Sequence, residues 1–317
     1  MKLPAPPLVG RLAALPPRRL LQMSAVVALA TIALKTLAWW VSGSVGLLSD
    51  AMESFVNLAG ALFGLVMVTI AARPADEDHP YGHHKAEYFS AGFEGMLIFG
   101  AALAILWAAG VRLLAPQPLE QVGWGLVLSV ASTGLNGLLA WVLLAAARVH
   151  ASVALEADGR HLVTDVWTSV GVVVGIGAVQ LTGWLWLDPL VAVAVALNIL
   201  HEGGALVWRA AQGLMDEAAE PEVLERIHAT LEAFTAEQGG VLRIDHLRTR
   251  RAGQRRFADL HLHLPARWSL GQAVAVRAAL EHTLVQAVPG LRPGIQLLSI
   301  EEEALPGSAA APGEEPA

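Results

Sequence analysis

The sequence predicts an all-α six-helix transmembrane bundle followed by a small C-terminal α+β domain, and three observations carry that prediction. The 317 residues are 55% hydrophobic and only 15% charged, with a mean hydropathy of +0.51, which lies outside soluble usage. Apolar runs of roughly 20 residues, enough for a ~30 Å hydrocarbon core, recur near 21–42, 45–72, 89–114, 122–147, 161–183 and 187–208. After Arg209 the hydrophobicity falls and amphipathic patterning begins. The predicted organisation is therefore an N-terminal segment 1–20, a membrane domain 21–210, an α+β domain 211–303 and a tail 304–317.

The opening segment has a basic start and an apolar core, as a cleaved leader has. Its apolar stretch continues past any small-residue cleavage site to Trp40, so it is expected to be the first span. Lys2, Arg11, Arg18, Arg19, Arg73, Lys85, Arg148 and Arg209 flank one set of span ends. The opposite turns "VSGSV" and "LTGWLWLD" have no Lys or Arg, and the third has only Arg112 at its edge. The positive-inside rule then places both termini in the cytoplasm. Trp39, Trp40, Trp184 and Trp186 fall near the outer boundary, where amphipathic rings favour the headgroup layer.

The chain has no cysteine. Disulfides and thiolate metal ligands are thereby excluded. The net charge of −7 comes largely from the loops and the acidic tail, and the lipid bilayer rather than nucleic acid is the expected partner.

Span two carries a polar seam. Asp50, Glu53 and Asn57 are offset by three and seven residues, so they share one stripe of a helix that is otherwise apolar. Span five repeats the ruler with Asp158, His161 and Asp165. Glu53 with Asn57, and His161 with Asp165, each present two donors from one helical face, and the two faces together make a four-ligand site. Imidazole and carboxylate donors suit a divalent transition ion at ~2.0–2.2 Å, and the carboxylates offset a charge that lipid disfavours. Asp50 and Asp158, one turn away, line the entry route or stand behind the ligands. For this site to lie inside the membrane, helix five must begin before His161, near Ala151.

A blander reading makes each polar residue a helix–helix hydrogen bond. It fits Asn57 alone, and also Ser132, Thr133 and Asn136 of span four. The ionisable set Glu53, His161 and Asp165 reads as functional, because such groups within spans are rare unless they serve a pathway. Lys35 of span one is read as a structural ion-pair partner of Asp50 or of Glu94 in span three.

The loop "RPADEDHPYGHHKAE" gathers Asp76, His79, His83 and His84 between spans two and three. Metal-ligand chemistry and a plain polar connector both fit it. Beyond the spans, "EPEVLERIHATLEAF" and "LGQAVAVRAALEHTLVQAV" read as helices, while "VLRIDHLRTRR", "RRFADLHLHLPA" and "GIQLLSIEE" read as strands. The order αββαβ packs naturally with both helices on one face of the sheet. The Pro-, Gly-, Ala- and Glu-rich tail lacks periodicity and is expected to be disordered.

Taken together, "LKTLAWWVSGSVGLLSDAMESFVN", the loop, "HLVTD", "WLDPL" and "DHLRTRRAGQRRFADLHLHL" resemble the cation diffusion facilitator family, in particular its bacterial zinc and ferrous-iron efflux members. The resemblance implies a homodimeric, proton-coupled exporter of the bacterial cytoplasmic (inner) membrane, with six helices per subunit and a cytoplasmic domain of ferredoxin-like or metallochaperone-like fold. It puts the transport site on Glu53, Asn57, His161 and Asp165, and a loop site on Asp76, His79 and His83. It puts an ion pair near the dimer contact on Lys85 and Asp216, and soluble-domain metal positions on His261 with Asp245 or His246. Two departures matter. Span two offers Glu and Asn where zinc members commonly present two Asp or a His and an Asp, so selectivity does not carry over. The last strand has Ser299 where a His is common, leaving Glu301 as the nearby acid.

The expected activity is efflux of Zn2+, Mn2+, Fe2+ or Co2+ by alternating access, the metal being substrate rather than cofactor. His161 is the natural proton carrier, with a reference pKa of ~6.5, whereas Asn57 cannot titrate. Carboxylate and amide oxygens tilt the site toward manganese or ferrous iron, while imidazole keeps zinc and cobalt in play. The competing classes are a passive divalent-cation channel, a metal sensor or scaffold, and an intramembrane metalloenzyme. The last is disfavoured because no "HExxH" falls on any span.

Overall fold

The structure is a computed structural model that describes residues 7–42, 45–114 and 123–300, with the side chains of 45–53 among those outside the description. It divides into two compact units, Met1–Gln212 and Gly213–Ala317.

The first unit is helical. A short α1, Pro7–Ala13, precedes α2, Pro17–Ser42, and α3, Val45–Ala71. Then come α4, Ala86–Leu114, α5, Gly123–His150, α6, Val153–Thr182, and α7, Leu187–Leu214. Helix α2 starts four residues before the predicted 21 because Pro17 sits at its first position, where a missing N–H costs nothing, and the Pro16 carbonyl accepts from Arg19 and Leu20.

Helix α6 begins at Val153, ahead of the apolar run that starts at 161. Ser152 caps it by accepting from Leu155 N. Glu87, in the first turn of α4, supplies a carboxylate that accepts from Ser152 Oγ at 2.7 Å and Ala154 N at 3.4 Å. A carboxylate at a helix N-terminus also complements the helix dipole. Gly183, at φ 75°, ends α6 in the left-handed conformation.

Among the described residues, four helical stretches are long and apolar enough to cross a membrane: Pro17–Leu37, Ala86–Leu114, Val130–His150 and Pro189–Leu214. Asn57–Ala71 is apolar but shorter. The first half of α6 carries Glu156, Asp158, Arg160, His161 and Asp165, which lowers its hydropathy.

The burial pattern of this unit is inverted. Trp40, Trp107, Leu138 and Trp208 face outward, while Ser54, Asn57, Glu94, Asn136, His161 and Asp165 are buried. A water-soluble bundle would do the reverse; lipid as solvent accounts for it. Apolar packing joins α2, α5 and α6 through Leu20, Leu21, Leu143 and Leu155, and joins α4, α6 and α7 through Ile98, Ala157, Ile199 and Leu206. At the α4–α7 crossing the backbones nearly touch. A Cβ on Gly95 would lie 2.9 Å from Val207 N, and one on Gly203 would lie 2.8 Å from Phe99 N.

The second unit follows the expected αββαβ order: α8, Pro221–Glu237; β1, Arg243–Ala252; β2, Arg255–Leu264; α9, Leu270–Ala287; β3, Leu291–Ser299. Ser269 and Gln272 form a capping box at the start of α9. The sheet order is β1-β2-β3, antiparallel between β1 and β2 and parallel between β2 and β3, with α9 as the crossover. Ala258, Leu260, Leu262 and Leu264 alternate onto one face of β2 and pack with Ile227, Phe234, Leu280 and Leu284 of the two helices. His261 and His263 therefore lie on the opposite face. Residues 301–317, including Glu301 and the predicted tail, lie outside the described residues.

Candidate functional site

Helices α3 and α6 meet at the polar seam. His161 Nε2 lies 2.7 Å from Asn57 Oδ1, and Asn57 Nδ2 donates to Asp165 Oδ2. His161 Nε2 is 4.0 Å from Asp165 Oδ1, one turn along the same helix. Three of the four predicted transport ligands are thus together and buried. Glu53 and Asp50 fall on α3, and their side chains lie outside the described residues. Asp158 is buried one turn before His161. Lys35 is buried in α2.

Two further residues complete the surroundings. Asn136 of α5 donates to Asp165 Oδ2 at 3.4 Å, and Thr133 of α5 donates to Ser169 of α6 at 2.9 Å, which are the helix–helix hydrogen bonds predicted for span four. Glu94 of α4 places Oε2 2.6 Å from His161 Nδ1. In the sequence Glu94 stands only as a partner for Lys35, and its intramembrane charge is the signal that marks it. The ensemble offers one imidazole nitrogen, an amide oxygen and a carboxylate within a buried centre, which is chemistry for holding a small cation.

In the loop, Asp76 Oδ1 accepts from His79 N at 2.7 Å and lies 3.2 Å from His79 Nδ1, while Asp76 Oδ2 is 3.4 Å from His83 Nε2. The His79 N–H and imidazole hold the Asp76 carboxyl below its ordinary 3.8. One donor atom from each of the three residues lies within 4.8 Å of the others. His84, on the same loop, is not part of that set.

In the second unit, cross-strand register puts Asp245 opposite His261. Asp245 Oδ1 is 2.9 Å from His263 Nε2 and 3.7 Å from His261 Nδ1. The donor set is Asp245, His261 and His263. His246, predicted beside Asp245, sits at a bulge with φ 50°, and its ring lies tilted against that of His261, the centroids 4.9 Å apart. His263 was missed although its spacing of two from His261 marks one strand face. Burial, and next the neighbouring His246, push His261 below its ordinary 6.5. Arg243 Nε contacts Asp245 Oδ2 at 3.2 Å. Lys85 lies in the first unit and Asp216 in the second, where Arg250 reaches Asp216 Oδ1 at 3.4 Å.

An apolar exterior around a buried amide, imidazole and carboxylate defines an integral membrane protein with a polar centre. The family model for the cation efflux transmembrane domain matches residues 21–215, and that for the cytoplasmic domain of cation efflux proteins matches residues 219–297. A relative from Synechocystis sp., "Uncharacterized transporter sll1263", is 44% identical over 280 residues, covering 88% of this chain and 89% of that protein. The cation-efflux pump FieF of Shewanella oneidensis is 35% identical over 80% of this chain and 84% of its own length, and that of Klebsiella pneumoniae is 31% identical over 83% and 86%. A solved structure of CzrB in its Zn form is 36% identical, covers 28% of this chain and 99% of its own, and has a TM-score of 0.26. The chain belongs to the cation efflux, or cation diffusion facilitator, family, whose members are transporters and not enzymes.

Proposed function

We propose that this protein exports divalent transition-metal cations, of the class Zn2+, Mn2+, Fe2+ and Co2+, from the cytoplasm across the bacterial cytoplasmic membrane in exchange for protons. The observation that carries the reading is the buried contact of Asn57, His161 and Asp165 between α3 and α6. Glu53, four residues before Asn57, is the fourth ligand, and Asp50 and Asp158 flank the route.

Exchange follows from the donor chemistry. A proton on His161 Nε2 and a cation bound there are mutually exclusive, as are a proton and a cation on the Asp165 carboxylate. Binding from the cytoplasm displaces protons, and protons arriving from outside displace the ion once the bundle has rocked. Asn57 contributes an oxygen but no proton.

The proposed arrangement is six spans, α2 to α7, with both termini cytoplasmic. Each helix has 26 to 30 residues, about 40 Å at 1.5 Å per residue, and the distribution of Lys and Arg supports the orientation. The second unit is proposed as a metallochaperone-like domain through which two copies associate, with Lys85 and Asp216 near that contact. Asp76, His79 and His83, and separately Asp245, His261 and His263 with His246 and, by its place in the sequence after β3, Glu301, are proposed as accessory metal positions.

The test is uptake into proteoliposomes of Zn2+, Mn2+, Fe2+ and Co2+ across an imposed proton gradient. Asp165→Ala is expected to lower gradient-driven flux by more than the ~10–100-fold that changes behind a metal ligand cost. Flux unaffected by the substitution removes the site; flux indifferent to the gradient makes the protein a channel.

A further inference from the structure

We propose that Glu94 is the positioning residue of the transport site: it orients His161 and so decides which imidazole nitrogen meets the cation. This rests on the reading of α3 and α6 given above. Glu94 is 1% exposed and belongs to α4, a helix that contributes no ligand. Its Oε2 faces His161 Nδ1 at 2.6 Å, while Nε2 on the far side of the ring faces Asn57 Oδ1 at 2.7 Å and Asp165. Oε2 and Nδ1 are both buried, and among the described residues neither has an aligned hydrogen bond, so their 2.6 Å approach is a close contact of carboxylate and ring nitrogen.

Space for the carboxylate is built into α3. Gly60, one turn beyond Asn57, lies against Glu94, and a Cβ there would overlap Oε1 and come within 2.9 Å of Cδ and Oε2. The notch lets a side chain from α4 reach behind the imidazole of α6. Glu94 is too far round the ring to share the ion: the two nitrogens of an imidazole point away from each other.

The chemistry follows. A neutral imidazole carries its proton on one nitrogen and its lone pair on the other. A carboxylate accepts only, so it keeps an N–H at Nδ1, toward Glu94; Nε2, which donates to Asn57 Oδ1 in this arrangement, is then the nitrogen that gives up its proton and offers its lone pair to a cation in the seam. A carboxylate behind a ligating histidine also fixes the ring plane and strengthens the donor.

The test uses the full chain in proteoliposomes, with Zn2+ and Mn2+ uptake giving KM and Vmax, and Co2+ as a visible-spectrum probe of the bound ion in detergent. Glu94→Gln keeps size and shape, but an amide offers either oxygen or N–H to Nδ1 and no longer selects a tautomer. We expect KM to rise ~10-fold for Glu94→Gln and up to ~100-fold for Glu94→Ala, with an altered Co2+ spectrum in both. Gly60→Ala, which retains every donor but displaces Glu94, should raise KM as well. A purely structural Glu94 would lower the yield of folded protein and leave KM and the Co2+ spectrum of the folded fraction unchanged.

A KM for Glu94→Gln within twofold of wild type, with an unchanged Co2+ spectrum, overturns the proposal whether or not Glu94→Ala folds. Asp165→Ala separates the two failures. If it abolishes flux while Glu94→Gln changes nothing, only the positioning role falls; if flux survives it, the site and the role fall together.

Discussion

In the first unit the large apolar side chains Trp107, Leu138 and Trp208 look outward and the polar residues Asn57, Glu94 and His161 look inward; in the second, Leu260, Leu262 and Leu280 are buried and the exposed face of α8 is largely polar. Both obey one rule, that each surface matches its solvent. The contrast teaches how each unit comes to hold a cluster of donors. The membrane unit uses helical spacing, bringing residues four apart on α6 against one on α3. The second unit uses strand spacing, with His261 and His263 two apart on β2 and Asp245 across the ladder on β1.

The comparison breaks most visibly under one substitution made in both units. Leu138, outward-facing at mid-helix in α5, changed to Lys puts an ammonium in hydrocarbon and should cost about 3 kcal/mol. Leu270, 77% exposed at the start of α9, changed to Lys should move stability by no more than about 0.5 kcal/mol. Thermal unfolding in lipid nanodiscs compares them, and equal costs would mean that the exterior of the first unit does not face lipid.

A smaller effect sharpens it. Glu220 is half-buried before α8, so burial works to raise its pKa, but hydrogen bonds from Arg256 at 2.8 and 2.9 Å and the nearby Arg251 leave it lowered from its ordinary 4.5. A carboxyl with a depressed folded-state pKa contributes stability that is present above its unfolded value and lost as pH falls through the folded one. The second unit should therefore hold its stability above about pH 4.5 and lose it progressively below. Glu220→Gln should lower stability at neutral pH and flatten the acid limb. An unchanged acid limb in pH-dependent thermal unfolding would remove Glu220 from the account.

Much of this was legible in the sequence. Asn57, His161 and Asp165 could be matched because helical offsets need no tertiary information, and the αββαβ order because turns and periodicity are local. The start of α6 was only loosely placed, since its cap includes Glu87 from another helix. Glu94 was visible as a charge but not as His161's neighbour, because nothing in linear spacing says how α4 lies on α6. His246 was favoured over His263 by its place beside Asp245; on a strand, adjacent residues face opposite ways, and the bulge after Asp245 added a conformation that no pattern announces.

The crossing of α4 and α7 has a mechanical consequence. Gly95 and Gly203 bring two backbones into contact, and the Val207 and Ile98 side chains fill the notches the glycines leave, so the helices are pinned at one close patch. Such a joint turns more easily than it slides. We expect α4, which carries Glu94, to swivel on α7 like a lever on a fulcrum as access alternates. Because the chain has no native cysteine, thiol pairs introduced on either side of the fulcrum are free of background: distances that change in opposite senses at its two ends mark a lever, and distances that change together mark a slide.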